Sequence, residues 1–260
     1  MAATLDIRRP SAHVAEVWLN RPEVRNAFND GVVAELTEAF RTLAADEALR
    51  AIVLGGHGKA FCAGADLSWM RTMAGYSWAQ NQADAAALAE MLWTVWRCPV
   101  PVVARVHGDC YAGGVGLAAV CDVRVAAEGV QFCLSEARLG LLPATIGPYV
   151  VRALGEQAAR RYFVSAERFS AERAQALGFV HECVPATALD AAVAEIVAAI
   201  VANGPAAVRA CKSLVQDVAG RPIDAALRAD TARRIADIRA SDEGRAGVAA
   251  FLAKQEPPWR

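Results

Sequence analysis

The sequence predicts an α/β chain, and three observations support that expectation. Apolar extended runs alternate with helix-like segments as far as about residue 140. From Gly147 onward the apolar spacing is almost wholly helical. Hydrophobic residues make up 55% of the 260 positions and charged residues 21%, which suits a large buried core and excludes a disordered chain.

The elements follow in chain order. Val14-Ala15-Glu16-Val17-Trp18-Leu19 alternates and stops at Asn20-Arg21-Pro22, a strand entering a turn. Asp30 reads as the cap of a helix reaching Ala45, with Val33, Leu36 and Phe40 on one face. Residues 51–54 form a buried strand, 78–96 a long helix and 99–106 a strand whose start is marked by two prolines. A glycine-rich turn at Gly113 leads into a helix ending at Asp122, and 123–126 and 131–133 are again extended. The helical half breaks near Gly178, Pro185, Gly204-Pro205 and Gly220-Arg221-Pro222. Its alanine-rich tracts carry Leu, Val and Ile at helical spacing, as core or subunit-contact helices do.

Composition excludes several classes of function. A net charge of -1 gives no footprint for a nucleic-acid partner. The seven cysteines are scattered, mostly within apolar runs and without a Cys-x-x-Cys pair, as in a reduced cytoplasmic protein with buried thiols. The four histidines lie at no metal-ligand spacing, so no metal is expected. The first residues lack the basic-then-apolar order of a signal peptide, and Glu195 interrupts the most apolar segment, residues 191–202. A bilayer takes roughly 20 apolar residues, so no membrane partner is expected either.

Two turns carry the chemistry. In His107-Gly108-Asp109-Cys110-Tyr111-Ala112-Gly113-Gly114-Val115-Gly116-Leu117, glycines let the main chain approach a ligand closely, and the first N–H groups of a helix have no intrahelical acceptor. Such a turn suits a developing negative charge. A second turn, Gly58-Lys59-Ala60-Phe61-Cys62-Ala63-Gly64-Ala65-Asp66-Leu67, follows the strand at 51–54, so the pair can form a two-donor pocket. Nucleotide-binding readings of Gly56-His57-Gly58-Lys59-Ala60-Phe61 fail, because Phe61 replaces the third small residue and Ala60 the Ser or Thr of a P-loop. No Gly-x-Ser-x-Gly elbow occurs.

Lys-Ala-Phe-Cys-Ala-Gly-Ala-Asp-Leu at 59–67, followed by Gly-Gly-x-Gly-Leu-Ala-x-x-Cys-Asp at 113–122, resembles the crotonase, or enoyl-CoA hydratase/isomerase, superfamily over nearly the whole chain. The resemblance implies a spiral of ββα units over residues 1–195 holding an acyl-CoA site, and a C-terminal helical trimerisation region over 196–260. A homotrimer or homohexamer is therefore expected. It also implies no cofactor, coenzyme A being part of the substrate.

The catalytic groups implied are the N–H groups of Ala65 and Gly113, as an oxyanion hole for the thioester, and the carboxyl of Glu136, which exchanges a proton with substrate. By itself Glu136 also reads as an exposed loop residue or a partner for Arg138. The segment 21–27 resembles the family's early CoA loop, placing Arg25 near phosphate with Ala27 beside it. Lys59, Ala63 and the main chain of Asp66 and Leu67 would flank the pantetheine and adenine, and Lys254 matches a tail segment that reaches a neighbouring subunit's CoA. Taken singly, the cations read equally as surface charges in loops.

One departure stands out. Hydratases with two catalytic glutamates carry the first at the position of Gly116, which otherwise contributes to the substrate site. A single carboxylate suits a double-bond isomerase, a non-catalytic acyl-CoA-binding subunit, or a hydratase in which Glu136 acts alone. Residues 141–150 are similar to bacterial hydratases of branched glutaconyl-CoA thioesters from leucine or acyclic terpene breakdown, which favours hydration.

Overall fold

The computed structural model describes residues 3–260, so Met1 and Ala2 lie outside the described residues. An antiparallel pair, β1 (Leu5–Ser11) and β2 (Val14–Leu19), begins the chain and is followed by α1 (Asp30–Ala44). Strands then arrive two at a time: β3 (Ala51–Gly56) with β4 (Ala60–Cys62), β5 (Val102–Val106) with β6 (Asp109–Tyr111), and β7 (Val123–Ala127) with β8 (Gln131–Cys133). The first of each pair joins a six-stranded sheet ordered β1-β2-β3-β5-β7-β10, with β10 at Glu182–Val184, and the second a four-stranded sheet ordered β4-β6-β8-β9, with β9 at Arg168–Ser170. Each coil of the spiral thus adds one strand to each sheet. Helices close the coils: α2 (Leu67–Met73) and α3 (Trp78–Arg97) after β4, and α4 (Gly113–Ala119) after β6.

This arrangement follows from the pattern of apolar residues. Every residue of β3 is buried and β5 is nearly so, because a parallel strand in mid-sheet is covered on both faces. Strand β2 alternates between buried and half-buried residues, as a strand covered on one face does.

The second half is helical with two exceptions. After α5 (Gly147–Leu154) and α6 (Glu156–Ser165) comes β9 (Arg168–Ser170), and after α7 (Ala171–Ala176) comes β10 (Glu182–Val184). Both correct the almost wholly helical reading, and each completes a sheet edge, β9 antiparallel on β8 and β10 parallel on β7. Phe132 of β8 lies against Phe169 of β9 and Phe179, with ring centroids 5.5 Å apart in both cases. Helix α8 (Leu189–Val201) crosses residue 195 and packs on β3, β5 and β7, so the expected division at 195/196 falls inside a helix anchored to the core. The helices beyond are α9 (Pro205–Val218), α10 (Ala225–Ala240) and α11 (Asp242–Ala253). Lys212 of α9 joins them to the spiral through Asp122, 2.6 Å away, whose carboxylate also accepts Val102 N–H.

Two further details differ from the sequence reading. The cap of α1 is Asn29, whose side chain accepts Val32 N–H, while Asp30 is the first helical residue. Cysteines 62, 98, 110, 121 and 133 are buried and free as expected, but Cys183 is half-buried and Cys211 exposed. No single helix among the described residues is long and apolar enough to cross a membrane.

Asn26 pins the loop after β2 onto the spiral. Fully buried and left-handed at φ 56°, it donates to His57 O and Ala60 O and accepts Arg21 N–H. Asn26→Ala strands a donor and two carbonyls, so it is expected to cost about 3 kcal/mol of unfolding free energy in urea titrations.

Candidate active site

Strands β4, β6 and β8 are parallel neighbours, and the groups of interest leave from their C-terminal ends. Ala65 lies just beyond β4, Gly113 just beyond β6, and Glu136 just beyond β8. The register pairs Tyr111 with Cys133, and Ala112 N–H donates to Cys133 O at 2.8 Å. Segments separated by up to 70 positions in sequence are therefore adjacent in space.

The direction of the Ala65 N–H follows from its ladder. Phe28 N–H donates to Gly64 O and Asp66 N–H to Phe28 O, both at 2.7 Å, so Phe28 brackets Ala65. In such a parallel bridge the bracketed residue turns its own N–H away from its partner. On that far side lies the second turn. A Cβ built on Gly64 would stand 3.6 Å from Gly113 N and 2.9 Å from Ala112 Cβ, and φ 92° at Gly64 also favours glycine there. Gly113 opens α4, so its N–H has no intrahelical acceptor. The Phe28 ring lies 3.1 Å from where a Gly113 Cβ would be, supporting both turns from beneath.

Ala112 is strained, with φ 47° and ψ -119° immediately before the Gly113 donor. Such conformations cost on the order of 1–3 kcal/mol, and relieving one with glycine gives back part of that in unfolded-chain entropy. Ala112→Gly is accordingly expected to raise stability by about 1 kcal/mol, measured as a shift of the urea midpoint at unchanged slope.

Glu136 is the first residue of a single 3-10 turn closed by left-handed Gly140. Its Oε2 is buried without a hydrogen-bond partner, and burial pushes its pKa above the ordinary carboxylate value. Arg138 turns elsewhere and donates to Ala166 O. The bland reading of Glu136 as half of a surface ion pair is thus set aside.

The space beside Gly116 is filled. A Cβ there would lie 2.1 Å from Ile146 Cγ2, and Ile146 is 2% exposed. An apolar side chain from the start of α5 therefore occupies the position a residue-116 side chain would need.

The remaining candidates divide. Arg25 and Lys59 are exposed cations without an ion pair among the described residues. Their loops adjoin: Ala63 N–H donates to Arg25 O, and the Gly58 turn packs on Pro22. Asp66 is committed within the chain. Its carboxylate caps α2 through Ser68 and pairs with Arg21 at 2.7 Å, its N–H serves Phe28 O, and its carbonyl accepts Met70 N–H. Bonds from Ser68 and the Arg21 charge, outweighing the opposing effect of burial, hold its pKa down to about 2. Leu67, 69% exposed, is left open. Ala27 is buried with its carbonyl bonded to Arg21 Nη1. Lys254 ends α11 in an exposed left-handed position and bonds to none of these groups.

Sequence reading missed Arg21, whose partner is 45 positions away. It also missed Asp84, which accepts Trp69 Nε1–H at 3.1 Å and ties α2 to α3. Of the aromatic residues near α2, Trp69 is buried and Trp78 is 79% exposed. Tyr111, with Arg168 over its ring at 5.4 Å, has its pKa pushed up to about 12 by burial.

Main-chain donors and one raised-pKa carboxyl at neighbouring strand ends suit reactions that place negative charge on a carbonyl oxygen while a single proton moves. The chain belongs to the enoyl-CoA hydratase/isomerase family, whose model matches residues 9–260. The fold agrees. The crystal structure of an enoyl-CoA hydratase from Shewanella pealeana is 38% identical, covers 98% of this chain and 96% of its own, and superposes with a TM-score of 0.95. AtuE from Pseudomonas aeruginosa is 36% identical over 98% of this chain and 99% of its own, with a TM-score of 0.94. Among curated relatives, mevalonyl-coenzyme A hydratase sidH of Aspergillus fumigatus is 33% identical, covering 96% of this chain and 93% of that protein.

Proposed function

We propose that this protein adds water across the 2,3 double bond of an α,β-unsaturated acyl-CoA, with a branched glutaconyl-CoA as the preferred substrate. The carrying observation is the buried Oε2 of Glu136, without a hydrogen-bond partner, at the same sheet edge as Ala65 and Gly113. Relatives named as hydratases support the reaction type.

In this reading the thioester oxygen accepts hydrogen bonds from the Ala65 and Gly113 N–H groups. Glu136 takes a proton from water as its oxygen bonds to C3, and the double-bond electrons move onto the thioester as an enolate. Glu136 then returns the proton to C2, so one water is added and the carboxylate is restored. Arg25 would meet a CoA phosphate, Lys59 would flank the pantetheine and adenine, and Lys254 would reach a neighbouring subunit's CoA. Exposed Val215, Ile235, Phe251 and Leu252 on α9–α11 support a homotrimer or homohexamer.

The Ile146 plug over Gly116 favours a second reading, isomerisation of a 3-enoyl to a 2-enoyl thioester, in which Glu136 carries a proton between carbons. Incubation in heavy-oxygen water with 3-methylglutaconyl-CoA, crotonyl-CoA and a 3-enoyl-CoA separates the two. Label in a 3-hydroxyacyl product supports hydration and ranks the substrates. Conversion of the 3-enoyl compound without label makes the protein an isomerase.

A further inference from the structure

The Ala65 donor is aimed by a segment more than thirty residues upstream in sequence. Phe28 fixes Ala65 by bonds on both sides, and Arg21 connects the two segments thus paired. One guanidinium nitrogen donates to Ala27 O, the carbonyl just before Phe28, and the other to Asp66 Oδ2, just after Ala65, each at 2.7 Å. The side chains of Arg21 and Asp66 are only 17% and 6% exposed, so little water competes for these bonds. Arg21 is itself held, its N–H donating to Asn26 Oδ1 and its carbonyl accepting Asn26 N–H. A fork bound at two points restricts rotation of one strand about the other, which a single hydrogen bond does not.

We propose that Arg21 is a positioning residue for catalysis, its guanidinium clamping Ala27 O to the Asp66 carboxylate so that the Ala65 N–H points at the thioester oxygen. The inference rests on the reading of Ala65 and Gly113 as the oxyanion hole. Arg21 touches no reacting atom. Its effect is on the angle of a donor, and donors of this kind are worth about 10²–10³ in kcat when removed outright.

The test compares wild type, Arg21→Lys and Asp66→Asn, using an aryl-substituted enoyl-CoA whose absorption moves to the red when its carbonyl is polarised. Wild type is expected to show the red shift on binding. Arg21→Lys keeps the charge but loses the fork, so it should bind the probe within threefold of wild type, lose at least half of the red shift, and lower kcat tenfold or more with KM within threefold. Asp66→Asn, which removes the charge at the other end of the clamp, should behave alike. A full red shift in both variants, with activity falling only as the folded fraction falls, overturns the proposal and leaves a structural ion pair. Absence of any red shift in wild type overturns the oxyanion reading itself, and the proposal with it.

Discussion

Glu136→Gln is expected to lower kcat by about 10³-fold while acyl-CoA binding stays within a few-fold of wild type, measured by turnover and by titration of the same thioester. The magnitude is that of a general acid–base group, commonly about 10²–10⁴. The substitution keeps size and polarity but removes the negative charge and the ability to take up and return a proton. A pH dependence accompanies it. Burial raises the Glu136 pKa above the ordinary 4.5, so the acid limb of kcat/KM, where the base becomes protonated, should lie above pH 4.5. For stability the sign is opposite to that of a paired carboxylate. A raised folded-state pKa means the folded protein holds this proton more tightly than the unfolded chain. The resulting stability is fully present below the unfolded pKa and is lost as pH rises through the folded one. At pH 7 the buried charge is therefore a cost, and Glu136→Gln should melt no lower than wild type, with the advantage fading toward pH 4. A variant that loses activity and melting temperature together would show that Glu136 supports the fold instead.

Gly116→Glu is expected to lose about 3 kcal/mol of stability, because its Cβ would stand 2.1 Å from Ile146 Cγ2 and 2.5 Å from Ile146 Cβ inside a packed contact. Denaturant unfolding measures this. Gly116→Glu combined with Ile146→Gly removes both clashing atoms, and glycine is accepted at the N-cap position that residue 146 holds before α5. The double variant should recover most of the stability and turn over crotonyl-CoA at least tenfold faster than wild type, since a second carboxylate then has room. A single variant as stable as wild type would contradict the packing described here.

The long elements were legible because pattern accumulates with length. The alternation at 14–19 and the helix beginning at Trp78 recur in the structure at nearly the expected bounds. Of the three-residue strands only β8, read at 131–133, gave such a signal. β4 and β6 lay hidden inside stretches read as turns, and β9 and β10 inside a helical background. β1 was missed because most of its residues are exposed and it depends on pairing with β2. Asn29 and Asp30 are both good caps by residue type, and only the extended main chain at Asn29 decides between them. At the site, the resemblance pointed to Ala65, Gly113 and Glu136, but local pattern could not show that Ile146, thirty positions on, fills the space beside Gly116. The Arg21–Asp66 pair was hidden for the same reason, since complementarity between distant loops leaves no periodicity.

The main-chain origin of two of the three groups in the proposed mechanism has a consequence for mutagenesis. An alanine scan passes over Ala65 without a change and, at Gly113, adds a methyl group against the Phe28 ring while keeping the N–H in place. In the proposed mechanism the oxyanion donors are encoded by the path of the chain, so residue identity at those positions governs access and strain more than chemistry. Replacing either amide by an ester, which deletes the donor and leaves every side chain intact, tests the proposed oxyanion role directly.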